Sequence, residues 1–264
     1  MERKAITTEG KVISYTIAGN GKAVVLVHGF GADASVWNEQ IEYLKGQYLV
    51  IAPDLPGIGA SELTSDVSME ALAEIIKEII EHEDADQAAI IGHSMGGYAV
   101  LAFAEKYPEL LTGFGLFHST SGADNDEKIE TRKKGIEFTQ KHGATEFLKT
   151  TAPKMFSETT KKEHKALYDS FMNQLPAMDK EAVINYYEPM IKRPDRADVL
   201  KESEVPVLFI YGEQDEIIPL DKTIEQASFP SLSAVHILKK SGHLGMIEEP
   251  AEACKAIEDF LSDI

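Results

Sequence analysis

The sequence predicts an α/β fold: a mostly parallel central sheet flanked by helices, with a helical cap inserted between two core strands. Three observations carry this. Short apolar runs ending in glycine, histidine or aspartate recur along the chain and alternate with stretches of helical periodicity. Such a run as "AVVLV" (23–27) is apolar throughout, the pattern of a strand covered on both faces. The strand signal then stops at Phe117 and resumes at Val205, with charged, helix-compatible sequence between. We therefore expect a core made of residues 1–120 and 202–264 and a helical insertion over 121–201.

Taken in order, "KVISYTIAGNGKAVVLVHGF" reads as a strand, a Gly-Asn-Gly turn and a second strand. "QYLVIAPD" repeats the strand pattern and ends in the polar loop "LPGIGAS". Leu72, Ile75, Ile76, Ile79 and Ile80 recur at helical spacing, which predicts a helix over about Met69–His82. "QAAIIGHS", "LTGFGLFHS", "VPVLFIYGEQD" and "LSAVHILKKSGH" supply four further strands. "DNDEKIETRKKGIEF", "FSETTKKEHKALYDSFMNQL" and "MDKEAVINYYEPMI" are compatible with amphipathic helices and none with a buried parallel strand. A last helix, about Pro250–Ser262, turns Ala253, Ile257, Phe260 and Leu261 to the core, with Cys254 packed there as a small hydrophobe.

Composition narrows the class of function. The 264 residues suffice for one large domain, or a core with an insertion. A hydrophobic fraction of 43% and a charged fraction of 27% are ordinary for a globular chain. The formal net charge of -18 should repel nucleic acid and anionic membranes, so neither is expected as a partner. No apolar run approaches the roughly 20 residues that span a bilayer, and the opening residues do not read as a signal peptide. One cysteine excludes an intrachain disulfide and a cysteine-rich metal site. Cytoplasmic residence is the expectation, and no metal or organic cofactor is implied.

The chemistry centres on "GHSMG", residues 92–96, which fits G-x-S-x-G with a strand before it and the helical "GYAVLAFAEKY" after it. A tight strand-to-helix bend leaves no room for side chains at Gly92 and Gly96, and it would present Ser94 as a nucleophile. A serine hydroxyl needs a base to take its proton. Of eight histidines, His82, His142 and His164 lie on charged helices, His236 on an alternating strand, and His93 beside the serine in a structural setting. His243, after the last strand and before the final helix, is the candidate base, because open α/β sheets gather ligands beyond the carboxyl ends of their strands. Asp215 holds the matching place after the preceding strand and would fix the imidazole tautomer. Glu213, Glu216 and Asp124 are weaker candidates for that acid.

Negative charge developing on a substrate carbonyl calls for backbone N–H donors. Met95 supplies one at a helix start and Phe30, in "HGFGADASVW", the second. The side chains of Phe30, Met95 and Trp37 are candidate pocket walls, Trp37 with core packing as its alternative. His118 ends a strand and borders either the pocket or the core. His28 reads as a loop anchor. The cations of "MIKRPDRADV" either attract an acidic substrate or lie on a solvated cap surface.

With "HGFG" (28–31), "GHSMGG" (92–97), "GEQDEIIP" (212–219) and "GH" (242–243), the chain resembles the α/β-hydrolase fold superfamily, and within it the small serine esterases with a helical cap. The resemblance runs from about residue 12 to the C-terminus but matches no motif in the cap. It implies an α/β-hydrolase fold with Ser94, Asp215 and His243 as nucleophile, acid and base, and the backbone of Phe30 and Met95 as oxyanion donors. It further implies a small-molecule ester or related carbonyl substrate. The expected activity is that of a serine carboxylesterase. The alternatives are a carbon–carbon hydrolase, lactonase or peptidase with the same residues, or a non-catalytic small-ligand receptor. A serine argues against the dehalogenases and epoxide hydrolases, which generally use an aspartate nucleophile.

Overall fold

The computed structural model describes residues 1–175, 178 and 180–264. Its strands are β1 (Glu2–Thr8), β2 (Lys11–Ala18), β3 (Lys22–Val27), β4 (Tyr48–Pro53), β5 (Ala88–His93), β6 (Leu111–Phe117), β7 (Val207–Gly212) and β8 (Ser233–Leu238). They form one eight-stranded sheet in the order β1-β2-β4-β3-β5-β6-β7-β8. β1 and β2 run antiparallel to their neighbours, and every pair from β4 to β8 is parallel. The chain leaves β3 toward β4 on one side and returns to β5 on the other. The order therefore reverses at β3, and loops leaving the carboxyl ends of β3 and β5 border the crevice where such sheets bind ligands.

β1 is an addition to what the sequence pattern predicts. It pairs with β2 through a two-residue turn, Glu9-Gly10, with φ of 49° and 74°, the positive-φ turn that matches hairpin twist. Only Ile6 of its seven residues is buried, so the strand carries no alternating signature.

The helices are α1 (Asn38–Leu44), α2 (Met69–His82), α3 (Met95–Lys106), α4 (Asp126–His142), α5 (Ala144–Thr151), α6 (Glu158–Glu163), α7 (Lys165–Asn173), α8 (Lys180–Lys192), α9 (Ala197–Lys201), α10 (Leu220–Thr223), α11 (Gly245–Glu248) and α12 (Pro250–Ser262). Ser68 starts α2 by accepting the Ala71 N–H, a cap that stabilises by about 1 kcal/mol. Successive side chains of a strand face opposite sides, so the sheet splits the core in two. Val25, Val27, Ile90, Leu116 and Phe209 pack with α2, α3, α5 and α8. Val24, Leu26, Ile91, Leu208 and Ile210 pack with α1 and α12, where Cys254 is also buried. Each such aliphatic side chain contributes roughly 1.5–3 kcal/mol by burial, and both faces are fully used.

Between β6 and β7 the chain runs through α4 to α9. Its described residues touch the sheet region through an isolated antiparallel bridge, Ile58 to Met178. They touch it also through the Tyr186 hydroxyl, which donates to the Pro56 carbonyl at 2.8 Å. Among the described residues no helix is long and apolar enough to cross a membrane.

Candidate active site

Ser94 joins β5 to α3 with φ 51° and ψ -116°, a left-handed backbone that a non-glycine residue adopts only when its surroundings impose it. β6 imposes it. The Ser94 N–H donates to the Phe117 carbonyl at 3.0 Å, and the Ser119 hydroxyl donates to the Ser94 carbonyl at 2.7 Å. The glycines flanking the bend are required by space. A Cβ on Gly96 would stand 2.5 Å from the Val27 carbonyl oxygen, and one on Gly92 would stand 2.4 Å from the Gly96 carbonyl. That same closeness brings Val27 and His28, at the end of β3, against the start of α3, and Gly29 against His93. Met95 is the first residue of α3, where backbone N–H groups have no partner within the helix. Its side chain is fully buried in the core.

His28 anchors the loop after β3. Its Nε2 accepts the Leu55 N–H at 3.0 Å and its Nδ1 donates to the Gly29 carbonyl at 2.8 Å. Burial pushes its pKa below the ordinary histidine value, which keeps the ring neutral and this tautomer in place. Asp54, at the end of β4 and unremarked in the sequence, braces the same loop by accepting the Ala34 and Ala60 N–H groups at 3.0 Å each.

Asp215 follows β7 and is buried. Its Oδ1 accepts the N–H groups of Ile217 and Ile218 at 2.8 and 2.9 Å. Its Oδ2 accepts from His243 Nδ1 at 2.7 Å. Burial alone would raise the carboxyl, but the facing His243 and His118 imidazoles outweigh it and hold Asp215 well below the usual carboxylate range. The carboxylate is therefore ionised and fixed in orientation. Among the described residues no group bonds His243 Nε2.

The backbone of His243 is clamped from three sides. Its N–H donates to the Met155 carbonyl at 2.7 Å, and its carbonyl accepts from His93 Nε2 at 2.7 Å. Glu248 Oε1 accepts the N–H groups of Gly242 and Leu244 at 2.9 and 3.2 Å, while Oε2 accepts the Ser157 N–H at 2.8 Å. Burial, then the nearby His243 and His118, push His93 well below the ordinary histidine pKa, so it stays neutral and donates from Nε2. Sequence reasoning gave His93 a structural place but not this bond, and it missed Met155 and Glu248 altogether. No spacing rule links them to residue 243.

Trp37 and His118, for which the sequence leaves pocket wall and core both open, are both buried. Trp37 is fully buried, its ring edge-on to Phe117 at 5.4 Å within the cluster that packs α1 and α12. It fills core. His118 is also fully buried, with Nδ1 3.3 Å from Asp215 Oδ2. It stands beside the acid. Phe30, by contrast, is partly exposed, stacks on Tyr187 at 4.9 Å and meets Phe147 edge-on at 6.2 Å. Its aromatic contacts thus come from α5 and α8.

Of the cations in "MIKRPDRADV", Lys192 is exposed and Arg193 and Arg196 are buried. Arg193 pairs with Asp124 at 2.9 Å and lies 3.9 Å over the Tyr98 ring; Arg132 meets the same carboxylate at 2.5 Å. Arg196 is buried against Glu70 and Glu105. Two clefts, of about 410 Å³ between α2 and α8 and about 250 Å³ between the loop after β3 and α7, are lined by neither Ser94 nor His243, so neither is read as an acyl pocket. His118, Asp215 and His243 offer ligand atoms within 4.8 Å of one another. The 2.7 Å separation of Oδ2 and His243 Nδ1 is a hydrogen bond, which accounts for the closeness of that pair. What this arrangement can do is accept a proton at His243 and have the resulting charge compensated at Asp215.

Comparison with known proteins agrees with the topology. Residues 22–250 match the model of the alpha/beta hydrolase fold family. A thermophilic esterase from Thermogutta terrifontis, solved with malate bound, superposes with a TM-score of 0.93 at 29% identity, covering 100% of this chain and 99% of that one. The chain is 28% identical to 2-hydroxy-6-oxononadienedioate/2-hydroxy-6-oxononatrienedioate hydrolase 1 of Pseudomonas putida, over 95% of this chain and 92% of that protein. It is 23% identical to 3-oxoadipate enol-lactonase 1 of Acinetobacter baylyi, over 97% and 95%. The chain belongs to the α/β-hydrolase fold family.

Proposed function

We propose that the protein is a serine hydrolase, a carboxylesterase that cleaves small or medium esters through an acyl-enzyme on Ser94. The observation that carries this reading is the 2.7 Å contact of His243 Nδ1 with Asp215 Oδ2, made by a carboxylate whose other oxygen two backbone N–H groups already fix. With Nδ1 committed to Asp215, the lone pair of His243 sits on Nε2, free to take the Ser94 proton as Oγ attacks the carbonyl. The N–H groups of Phe30 and Met95 receive the oxyanion. The imidazolium then protonates the departing alcohol, and water activated by His243 releases the acid and restores Ser94.

A neutral ester is favoured over a multiply charged acid because Arg132, Arg193 and Arg196 are all paired with carboxylates of the chain itself, the buried Asp124 and the half-exposed Glu70 and Glu105. The side chain above the proposed oxyanion loop is the aromatic cluster of Phe30, Phe147 and Tyr187. Likeness to a 29% identical esterase supports the same reading. The likeness to a carbon–carbon hydrolase and an enol-lactonase supports a second, in which the same three residues cleave a different carbonyl compound.

The test is hydrolysis of p-nitrophenyl esters from acetate to dodecanoate by the wild type and by Ser94→Ala. Turnover lost in the variant is the expected result, with the best chain length measuring the acyl pocket. Equal rates in both would remove Ser94 as nucleophile. No turnover in either would shift the reading to carbon–carbon or lactone cleavage, or, with tight ligand binding, to a receptor.

A further inference from the structure

His118 is an expensive residue for the fold to hold where it is. Its backbone is left-handed, φ 48°, fastened by its N–H to the Ile210 carbonyl at 2.8 Å. The ring is fully buried and stacked on Phe117 at 4.9 Å. Space for it depends on two glycines from other elements: a Cβ on Gly212 would come within 2.8 Å of its Cε1, and one on Gly245 within 2.8 Å of its Nε2. Neither ring nitrogen makes a well-formed hydrogen bond among the described residues. A leucine would fill the volume without a polar atom to desolvate. What an imidazole offers instead is Nδ1, 3.3 Å from Asp215 Oδ2.

We propose that His118 is a positioning residue of the Ser94–Asp215–His243 set, donating from Nδ1 to Asp215 Oδ2 beside the His243 bond and thereby sharing the carboxylate between two imidazoles. This rests on the serine-hydrolase reading above. A carboxylate has about four acceptor sites. Asp215 fills two with Ile217 and Ile218 and a third with His243, and His118 faces the fourth. Burial keeps His118 neutral, so it has one ring proton, and the ionised carboxylate selects Nδ1 for it.

The consequence is functional and not merely structural. A second donor draws charge from Asp215, so the carboxylate stabilises positive charge on the facing imidazole less than it would with His243 alone. The other titratable groups facing this set are His93 at the end of β5, 4.8 Å ring to ring from His243 and 6.2 Å from His118, and Glu248 on α11, which is held by three backbone N–H groups. Glu213 and Glu216, on the Asp215 loop, are exposed.

The test compares wild type, His118→Leu and His118→Asn by kcat/KM for the best p-nitrophenyl ester between pH 5 and 9. Asparagine tolerates a left-handed backbone and keeps an N–H donor near the Nδ1 position. In His118→Leu the acid limb should move up by about one pH unit, so that kcat/KM falls roughly tenfold near pH 6 and far less at pH 8. His118→Asn should return the limb toward the wild-type position. Limbs that coincide in wild type and His118→Leu, or a loss uniform with pH, overturn the proposal. Should the leucine variant not fold, the imidazole nitrogen NMR spectrum of wild type, with His118→Asn for assignment, decides. An Nδ1–H tautomer supports the proposal and an Nε2–H tautomer overturns it. If Ser94→Ala retains turnover, the serine-hydrolase reading itself has failed. If that variant is inactive and the limbs coincide, only the role of His118 has failed.

Discussion

The backbone N–H of His243 donates to the carbonyl of Met155 at 2.7 Å, across 88 residues of chain. The loop that carries the proposed base is thus tied to the helical segment between β6 and β7, and its position depends on how that segment docks. Gly242 makes the docking tight, since a Cβ there would meet the Ser157 nitrogen at 2.6 Å. Glu248 completes the joint by accepting N–H groups from both sides of it.

Glu248→Ala should therefore loosen the proposed base without touching it. Three backbone N–H groups would lose their acceptor, each worth about 1 kcal/mol, so unfolding stability should drop by roughly 2–3 kcal/mol. In the folded enzyme kcat should fall more than KM rises, because the imidazole is misplaced while the acyl pocket is intact. Urea denaturation and steady-state kinetics check both parts. An unchanged kcat would mean that the loop holds its geometry without this carboxylate.

Asp215→Asn tests the tautomer argument. The N–H groups of Ile217 and Ile218 are fixed donors and demand the amide oxygen at the Oδ1 position. The amide NH₂ must then face His243 Nδ1 and turn it into an acceptor, which puts the imidazole proton on Nε2. That tautomer cannot take a proton from Ser94. A loss in kcat of about 10⁴-fold is expected at neutral pH with the fold retained. A loss under tenfold would mean that Asp215 does not set the tautomer.

How far the sequence leads can be read from particular residues. Leu72, Ile75, Ile76, Ile79 and Ile80 are all buried on α2, because a helix between sheet and solvent must repeat every 3.6 residues. The G-x-S-x-G bend is legible because its steric demands fall within five residues. β1 is not, since a strand burying one residue leaves no alternation to read. Nor are the contacts of His118 with Asp215 or of Met155 with His243, which join residues 97 and 88 apart through topology. The pairing of Arg193 and Arg196 in "KRPDR", where Lys192 is exposed, is hidden for a related reason. The carboxylates that bury Arg193 and Arg196 lie on α2 and α3 and before α4, and no local pattern announces them.

Asp124 is the hinge of that buried set. Burial alone would raise its carboxyl, but Arg132 and Arg193 together hold it below the usual range. Asp124→Ala would leave two guanidinium groups without their shared counter-charge, and removing one partner of a buried pair costs about 3–5 kcal/mol. Denaturation midpoints should fall accordingly, while the ester chain-length profile of the folded fraction keeps its optimum. A change under 1 kcal/mol would mark the cluster as effectively solvated.

Stability should also fall steeply in mild acid, and the sign follows from three histidines. His28, His93 and His118 are fully buried, and desolvation lowers the pKa of each below the ordinary value. Between the folded value and the unfolded value of about 6.5, the unfolded chain binds a proton that the folded chain does not. Unfolding free energy therefore rises with pH through this window. The contribution is complete above about pH 7 and is lost as pH falls below 6.5, at up to about 1.4 kcal/mol per pH unit for each ring. Asp215, whose pKa is depressed, adds a loss of the same sign in a separate window below about pH 4. Urea midpoints taken from pH 5 to 8 should climb with pH, and His118→Asn should climb less steeply because one of the three rings is gone. A flat series, or one falling with pH, would mean that these rings bind protons as readily in the fold as in the open chain.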